Sequence, residues 1–216
     1  MPESQKTEIV LIRHGETLWN IEGRIQGHLD SPLTEIGLSQ AQALGQYLKS
    51  QQFAALYSSD LGRAYETARC ISKPNGLPIM IERQLRERNF GILQGVLKDT
   101  LASKFPEAYR YYRAHEPEYV VPKGESFKQF NTRCVKCFEN LARKHVGERI
   151  LVVAHGGVLV SLFKHTLNIP LNAPRRFLSL NSSINVFSYQ NETWMLEVWG
   201  DLSHLQGKRS LDDSLE

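Results

Sequence analysis

No apolar run in the 216 residues approaches the roughly 20 needed to cross a bilayer as a helix. The opening segment, Met1-Pro2-Glu3-Ser4-Gln5-Lys6-Thr7, lacks the apolar core of a secretory signal. A membrane is therefore not an expected partner, and a soluble, cytoplasmic protein is. Cysteine is scarce: Cys70, Cys134 and Cys137 cannot all pair internally, which favours a reducing compartment. Cys134-Val135-Lys136-Cys137 has redox or zinc spacing, but no second Cys/His pair accompanies it and its surroundings read as helix, so packed thiols are expected. A strong charge excess is also missing. The net charge is +3, from 26 basic and 23 acidic residues, and the basic ones are scattered rather than gathered into a nucleic-acid footprint. No nucleic-acid partner is expected; a small positive balance suits an anionic small molecule. Asp30, Asp60 and Asp201 form no recognisable carboxylate cluster, so no metal site and no cofactor are expected. With no repeat, low-complexity tract or linker, residues 1–216 read as a single domain.

What is present is an alternation of buried strands and amphipathic helices. Ile9-Val10-Leu11-Ile12 is an unbroken β-branched run that ends in Arg13-His14-Gly15. A polar loop through Arg24, Gln26, Gly27 and Asp30 follows, then a helix from an N-cap at Thr34 to about Lys49. Residues 53–59 read as a second strand, and Leu61 to Ser72 as a helix capped by the preceding serines or Asp60 and stopped by Pro74 and Gly76. A third strand lies around 79–81. Val96 to His115 carries a helical pattern, and the region around 92–125 resembles a cap inserted over a sheet edge. Ser126 and Gln129 form a capping box for a long helix with one apolar face, closed by Gly147. Ile150 to Ala154 is the clearest interior strand, ending in His155-Gly156-Gly157 before a helix from Val158 to Leu167. Strands at 183–189 and 193–198 form a hairpin, and from about 207 the chain is a polar tail, expected to be mobile. This order predicts an α/β fold, a three-layer α/β/α sandwich.

Four strand ends carry chemistry: RHGETLWN at Arg13 to Asn20, SSDLGRAYETA around Arg63, LRERNFG around Glu87, and VVAHGG at His155. Together, in this order, they resemble the histidine phosphatase superfamily, the phosphoglycerate mutase-like group, on its bacterial-type phosphatase branch. The resemblance implies a mostly parallel mixed sheet and a metal-independent, histidine acid-type phosphomonoester hydrolase acting on a small phosphorylated metabolite. It further implies a phosphohistidine at His14, with one ring nitrogen held by a backbone carbonyl.

The chemistry agrees. Phosphoryl transfer needs a nucleophile in line and fixed positive charge on the equatorial oxygens. Arg13 and Arg63 offer multi-donor guanidinium groups, and their charge disfavours protonation of His14. Glu87 supplies a proton to the leaving alkoxide and then a base for water; its alternative is a surface ion pair with Arg86 or Arg88. His155 is, by the resemblance, a donor to the phosphate. Asn20, Gln26, Gly27 and Gly156 match the family's further phosphate and substrate contacts, although Asn20 and Gln26 equally suit loop-stabilising residues. Phe90, Trp19 and Phe105 to Tyr112 offer an apolar rim for a substrate, although aromatics at helical spacing more often form core, and Gly15 makes room for a ligand. Two other functions compete. A cofactor-dependent phosphoglycerate mutase uses the same machinery, and Lys98, Arg110, Arg113 and Lys123 keep it open. However, the short Glu87 to Gly124 segment without an Arg-Arg pair, and Gly156-Gly157-Val158 after the second histidine, favour the phosphatase. A non-catalytic phospho-ligand binding module is the third reading. A homodimer is left open.

Overall fold

The computed structural model describes residues 5–114, 116–207 and 210–212. Strand β1 (Thr7–Arg13) is central because it is apolar on both faces: Ile9, Val10, Leu11 and Ile12 are wholly buried. It is followed by α1 (Leu18–Glu22), α2 (Glu35–Leu48), β2 (Ala55–Ser58), α3 (Gly62–Asn75) and β3 (Ile79–Ile81). Then come α4 (Leu101–Lys104), α5 (Pro106–Arg113), α6 (Phe127–Lys144), β4 (Arg149–Ala154), α7 (Gly156–Thr166), β5 (Ile184–Gln190) and β6 (Thr193–Asp201). The six strands form one sheet in the order β3-β2-β4-β1-β5-β6. The first four run parallel, β5 runs antiparallel to β1, and β6 antiparallel to β5, giving the α/β fold with a mostly parallel mixed sheet.

Alternation along β1 divides the core. Ile9 and Leu11 pack with Phe130, Phe138 and Leu141 of α6 and Leu159 and Leu162 of α7, while Val10 and Ile12 pack with Leu44 and Leu48 of α2 and Ala64, Ala68 and Ile71 of α3. Helices cover both faces, which is why the interior strands are continuous apolar runs. The register pairs Arg13 with Ala154, and Ser58 with both Val153 and Ile81. The carboxyl ends of the parallel strands thus come level at one edge, where ligands bind in such sheets. Among the described residues, no helix is long and apolar enough to cross a membrane.

Several local expectations change. Helix α3 carries Pro74 inside its last turn and ends at Gly76, a left-handed residue. Its N-cap, Leu61, has no side-chain cap bond. Instead Asp30, far back along the chain, accepts from the backbone N–H of Gly62 and Arg63. The pattern from Val96 to His115 is interrupted, because Pro106 opens α5 afresh after the short α4. This region packs around its own apolar cluster of Ile25, Leu93, Leu101, Ala108 and Val121, with Phe105 and Tyr109 against it. Part of the tail expected to be mobile is held: Asn181 N–H donates to the Leu211 carbonyl at 2.8 Å, and Ser210 Oγ donates to the Asn181 carbonyl at 2.7 Å. The tail's residues 208–209 and 213–216 lie outside the described residues. Cys134 and Cys137 are free, buried thiols; burial pushes the Cys137 thiol up to about 12.

Because Phe138 is fully buried between sheet and helix, Phe138→Ala should cost about 3–5 kcal/mol in denaturant unfolding. Val146→Ala, at an exposed turn position, should stay within about 0.5 kcal/mol.

Candidate active site

His14 follows β1 directly. Its backbone N–H donates to the Ala154 carbonyl at 3.0 Å, and its own carbonyl accepts from Ser182 N–H at 3.2 Å and Asn181 Nδ2 at 3.1 Å. The ring lies 2.8 Å through Nδ1 from the Gly15 carbonyl. A carbonyl only accepts, so Nδ1 carries the hydrogen and Nε2 holds the lone pair in the neutral ring. Arg63 Nε donates to that Nε2 at 3.3 Å.

Arg63, in the first turn of α3, is 2% exposed. Its Nη1 donates to the Leu29 carbonyl at 3.1 Å and to Asp30 Oδ1 at 3.0 Å, and Nη2 donates to the Gly27 carbonyl at 2.8 Å. Asp30 therefore orients this guanidinium as well as capping its helix. Arg13 is equally buried. It donates through Nη1 to the Ser179 carbonyl, and its guanidinium lies across Gly156.

His155 is fully buried, with its ring centroid 5.3 Å from that of His14. Its Nε2 is 2.9 Å from Ser59 Oγ, which itself accepts from Leu61 N–H. The serine hydroxyl is thus free to donate to Nε2, which leaves the hydrogen on Nδ1, a buried atom without a partner among the described residues. Burial first, then the charge of the Arg63 guanidinium, holds the His155 imidazole well below its ordinary range, so it is neutral.

Glu87 forms no ion pair among the described residues. Arg86 makes a two-pronged bond to Asp60, at 2.6 and 2.5 Å, and Arg88 donates to the Glu125 carbonyl. Among the described residues the Glu87 carboxylate accepts from two backbone N–H groups, Arg88 at 2.8 Å on one oxygen and Gly157, in the first turn of α7, at 2.9 Å on the other. A Cβ at 157 would displace that carboxylate, so the glycine leaves it room.

A cavity of about 250 Å³ opens above these groups. Arg13, His14, Gln26, Gly27, Arg63, Glu87, Phe90 and Gly156 all line it, and Gln26 Oε1 is buried there without a partner among the described residues. Two expected binding residues are placed otherwise. Asn20 does not line the cavity: its Oδ1 accepts from Thr17 N–H and Thr17 Oγ, both at 2.9 Å, as the capping box of α1. His155 does not line the cavity, although its ring lies against that of His14, which does. Gly15 admits the backbone of Gly37 in α2, not a ligand.

The family model of the histidine phosphatase superfamily (branch 1) matches residues 9–202. The chain belongs to that superfamily. The Arabidopsis thaliana "Metal-independent phosphoserine phosphatase" is 45% identical over 94% of this chain and 85% of its own length. "Phosphoglycerate mutase-like protein 4" of the same plant is 42% identical over 92% and 87%. Among solved structures, Bacillus stearothermophilus YhfR superposes with a TM-score of 0.85 at 34% identity, covering 92% of this chain and 99% of that one. The protein is accordingly a phosphatase of this family.

Several groups of the phosphatase's cavity lie outside the sequence motifs. Arg175 and Asp212 pair at 2.9 Å on its wall, and Ser179 N–H donates to the same aspartate oxygen at 2.8 Å. Lys164, buried on α7, donates to the carbonyls of Pro170, Leu171 and Ala173 and so holds a loop at the cavity's edge. Each depends on a late segment returning to the strand ends, which no local pattern signals. Tyr111 and Tyr112 face the cavity, whereas Phe105 and Tyr109 are core; burial pushes the Tyr112 hydroxyl up to about 12.

His155 sets a pH dependence. The unfolded chain binds a proton near the ordinary value of 6.5 and the folded one does not, so stability falls as pH drops below that value. Melting temperature should decline from pH 7 to pH 5, and His155→Gln should make that decline shallower.

Proposed function

We propose that the phosphatase works through a phosphohistidine at His14 and needs no metal. The observation that carries this is the tautomer of His14: the Gly15 carbonyl takes the Nδ1 hydrogen and leaves the Nε2 lone pair at the cavity floor, beside Arg63. The 3.3 Å contact from Arg63 is long, and an entering phosphoryl oxygen can replace it.

In the first step the Nε2 lone pair attacks phosphorus and the bond to the ester oxygen breaks. Glu87 gives that oxygen its proton, and the alcohol leaves. Arg13, Arg63 and His155 Nδ1–H stabilise the equatorial oxygens. In the second, the Glu87 carboxylate takes a proton from water, the water oxygen attacks phosphorus, and the P–N bond breaks to give inorganic phosphate and free His14. The guanidinium groups supply the positive charge that a divalent cation would otherwise bring.

Phosphoserine leads the substrate candidates. It is named by a close relative, and the cavity beyond the phosphate floor carries both acidic groups, Asp212 and Glu116, and basic ones, Arg88 and Arg175, which suit a zwitterion. Mutase activity is the second reading, favoured by Arg24 and Lys98 on the same wall, where a second phosphate could be held. Three free cysteines suit a cytoplasmic setting.

A panel of phosphomonoesters that includes phosphoserine, 3-phosphoglycerate and its bisphosphate, compared by kcat/KM, decides between the two. Phosphate release from phosphoserine is expected to exceed any exchange between phosphoglycerates, and the reverse order would favour the mutase. Activity is expected to survive excess chelator and to be lost, by about 10³-fold or more, in His14→Ala. A chelator-sensitive enzyme, or an active His14→Ala, would contradict the mechanism.

A further inference from the structure

We propose that Arg133, on α6, is the positioning residue for Glu87. This rests on the reading of Glu87 as the proton donor. The chain from Gln84 to Asn89 connects a short 3-10 turn, Arg83–Leu85, to the next one at Gly91–Leu93, and it belongs to no strand that could fix its backbone. One guanidinium does so instead. Arg133 Nη1 donates to the Gln84 carbonyl at 2.8 Å and the Arg86 carbonyl at 2.9 Å, and Nη2 donates to the Glu87 carbonyl at 2.9 Å. Its remaining donors go to Glu125: Nη2 to Oε1 at 2.7 Å and Nε to Oε2 at 3.1 Å. The plane of the group sits over the Phe130 ring at 4.8 Å.

Glu125 closes the clamp from the other side of the acidic residue. Its Oε1 accepts from Asn89 N–H at 2.7 Å, and its carbonyl accepts twice from Arg88, at 3.1 Å each. His28 Nε2 donates to the same Glu87 carbonyl at 2.9 Å, so both lone pairs of that oxygen are engaged. His28 lies one residue beyond Gly27, and the clamp therefore also ties the loop under Arg63 to the acid.

No side chain hydrogen-bonds to the Glu87 carboxylate among the described residues; only two backbone N–H groups do. Its location therefore follows from where its own backbone is held, and Arg133 holds three of the four carbonyls from Gln84 to Glu87. Lysine would keep the charge at 133 but could not span three carbonyls and a carboxylate from one rigid plane. A general acid displaced by about 1 Å loses one to two orders of magnitude in proton transfer.

A staple that merely stabilises the fold and a residue that positions an acid differ in one respect. Loss of proton donation slows esters with poor leaving groups and spares those whose leaving anion needs no proton. We would measure kcat/KM, which reports the first chemical step, on phosphoserine and on p-nitrophenyl phosphate, with melting temperature alongside. The variants are Arg133→Lys, Arg133→Met, Glu125→Gln and Glu87→Gln. Glu87→Gln should lose about 10²–10⁴-fold on the alkyl ester and little on the aryl one. Arg133→Lys and Arg133→Met should show the same selectivity at about 10–100-fold. Should Arg133→Met not fold, Arg133→Lys and Glu125→Gln carry the same comparison. If Glu87→Gln is selective but the folded Arg133 variants lose both esters equally, or neither, Arg133 does not position the acid. If Glu87→Gln shows no selectivity, the general-acid reading itself fails and the proposal goes with it.

Discussion

A neutral imidazole has one lone pair, and the whole site depends on which nitrogen of His14 carries it. The hydrogen bond from Nδ1 to the Gly15 carbonyl makes that choice with the residue next along the chain. It holds only because the backbone beyond β1 is itself pinned, by Ala154 on one side and by Ser182 and Asn181 on the other. The fold's contribution to chemistry therefore begins with two peptide groups and a strand register, before any charged side chain is considered.

The cations come next. Buried positive charge is costly unless its donors are engaged, and here protein carbonyls and one carboxylate engage them: Gly27, Leu29 and Asp30 for Arg63, Ser179 for Arg13. A guanidinium fixed in this way meets a phosphate without reorganising, which is where such pockets gain most of their effect on rate. The same charges, together with burial, keep His155 neutral, so it adds no further positive charge beside the His14 ring.

Much of this was legible in the chain. The interior strands show as unbroken apolar runs because both of their faces are covered, and the Ser126/Gln129 capping box of α6 forms as its spacing implies. The motif residues Arg13, His14, Arg63 and Glu87 do converge, since parallel strands bring their carboxyl ends to one edge. What stayed hidden depends on distant partners. Asp30 caps α3, a role no local reading of Leu61 to Ser72 could assign. Helix α1, only five residues long, is too short for periodicity to reveal, and so is the cap that the Asn20 carboxamide oxygen closes. Arg133, Arg175 and Asp212 acquire their roles only through contacts made across the finished fold.

The central claim is that one particular nitrogen attacks phosphorus. Rapid quenching during turnover, followed by NMR of the ¹⁵N-histidine-labelled phosphoprotein under alkaline conditions, tests it by locating the phosphorus–nitrogen coupling. The account predicts a phosphoramidate on Nε2 of His14, absent from His14→Ala. Phosphate on Nδ1, on another residue, or on no residue while turnover proceeds would contradict it.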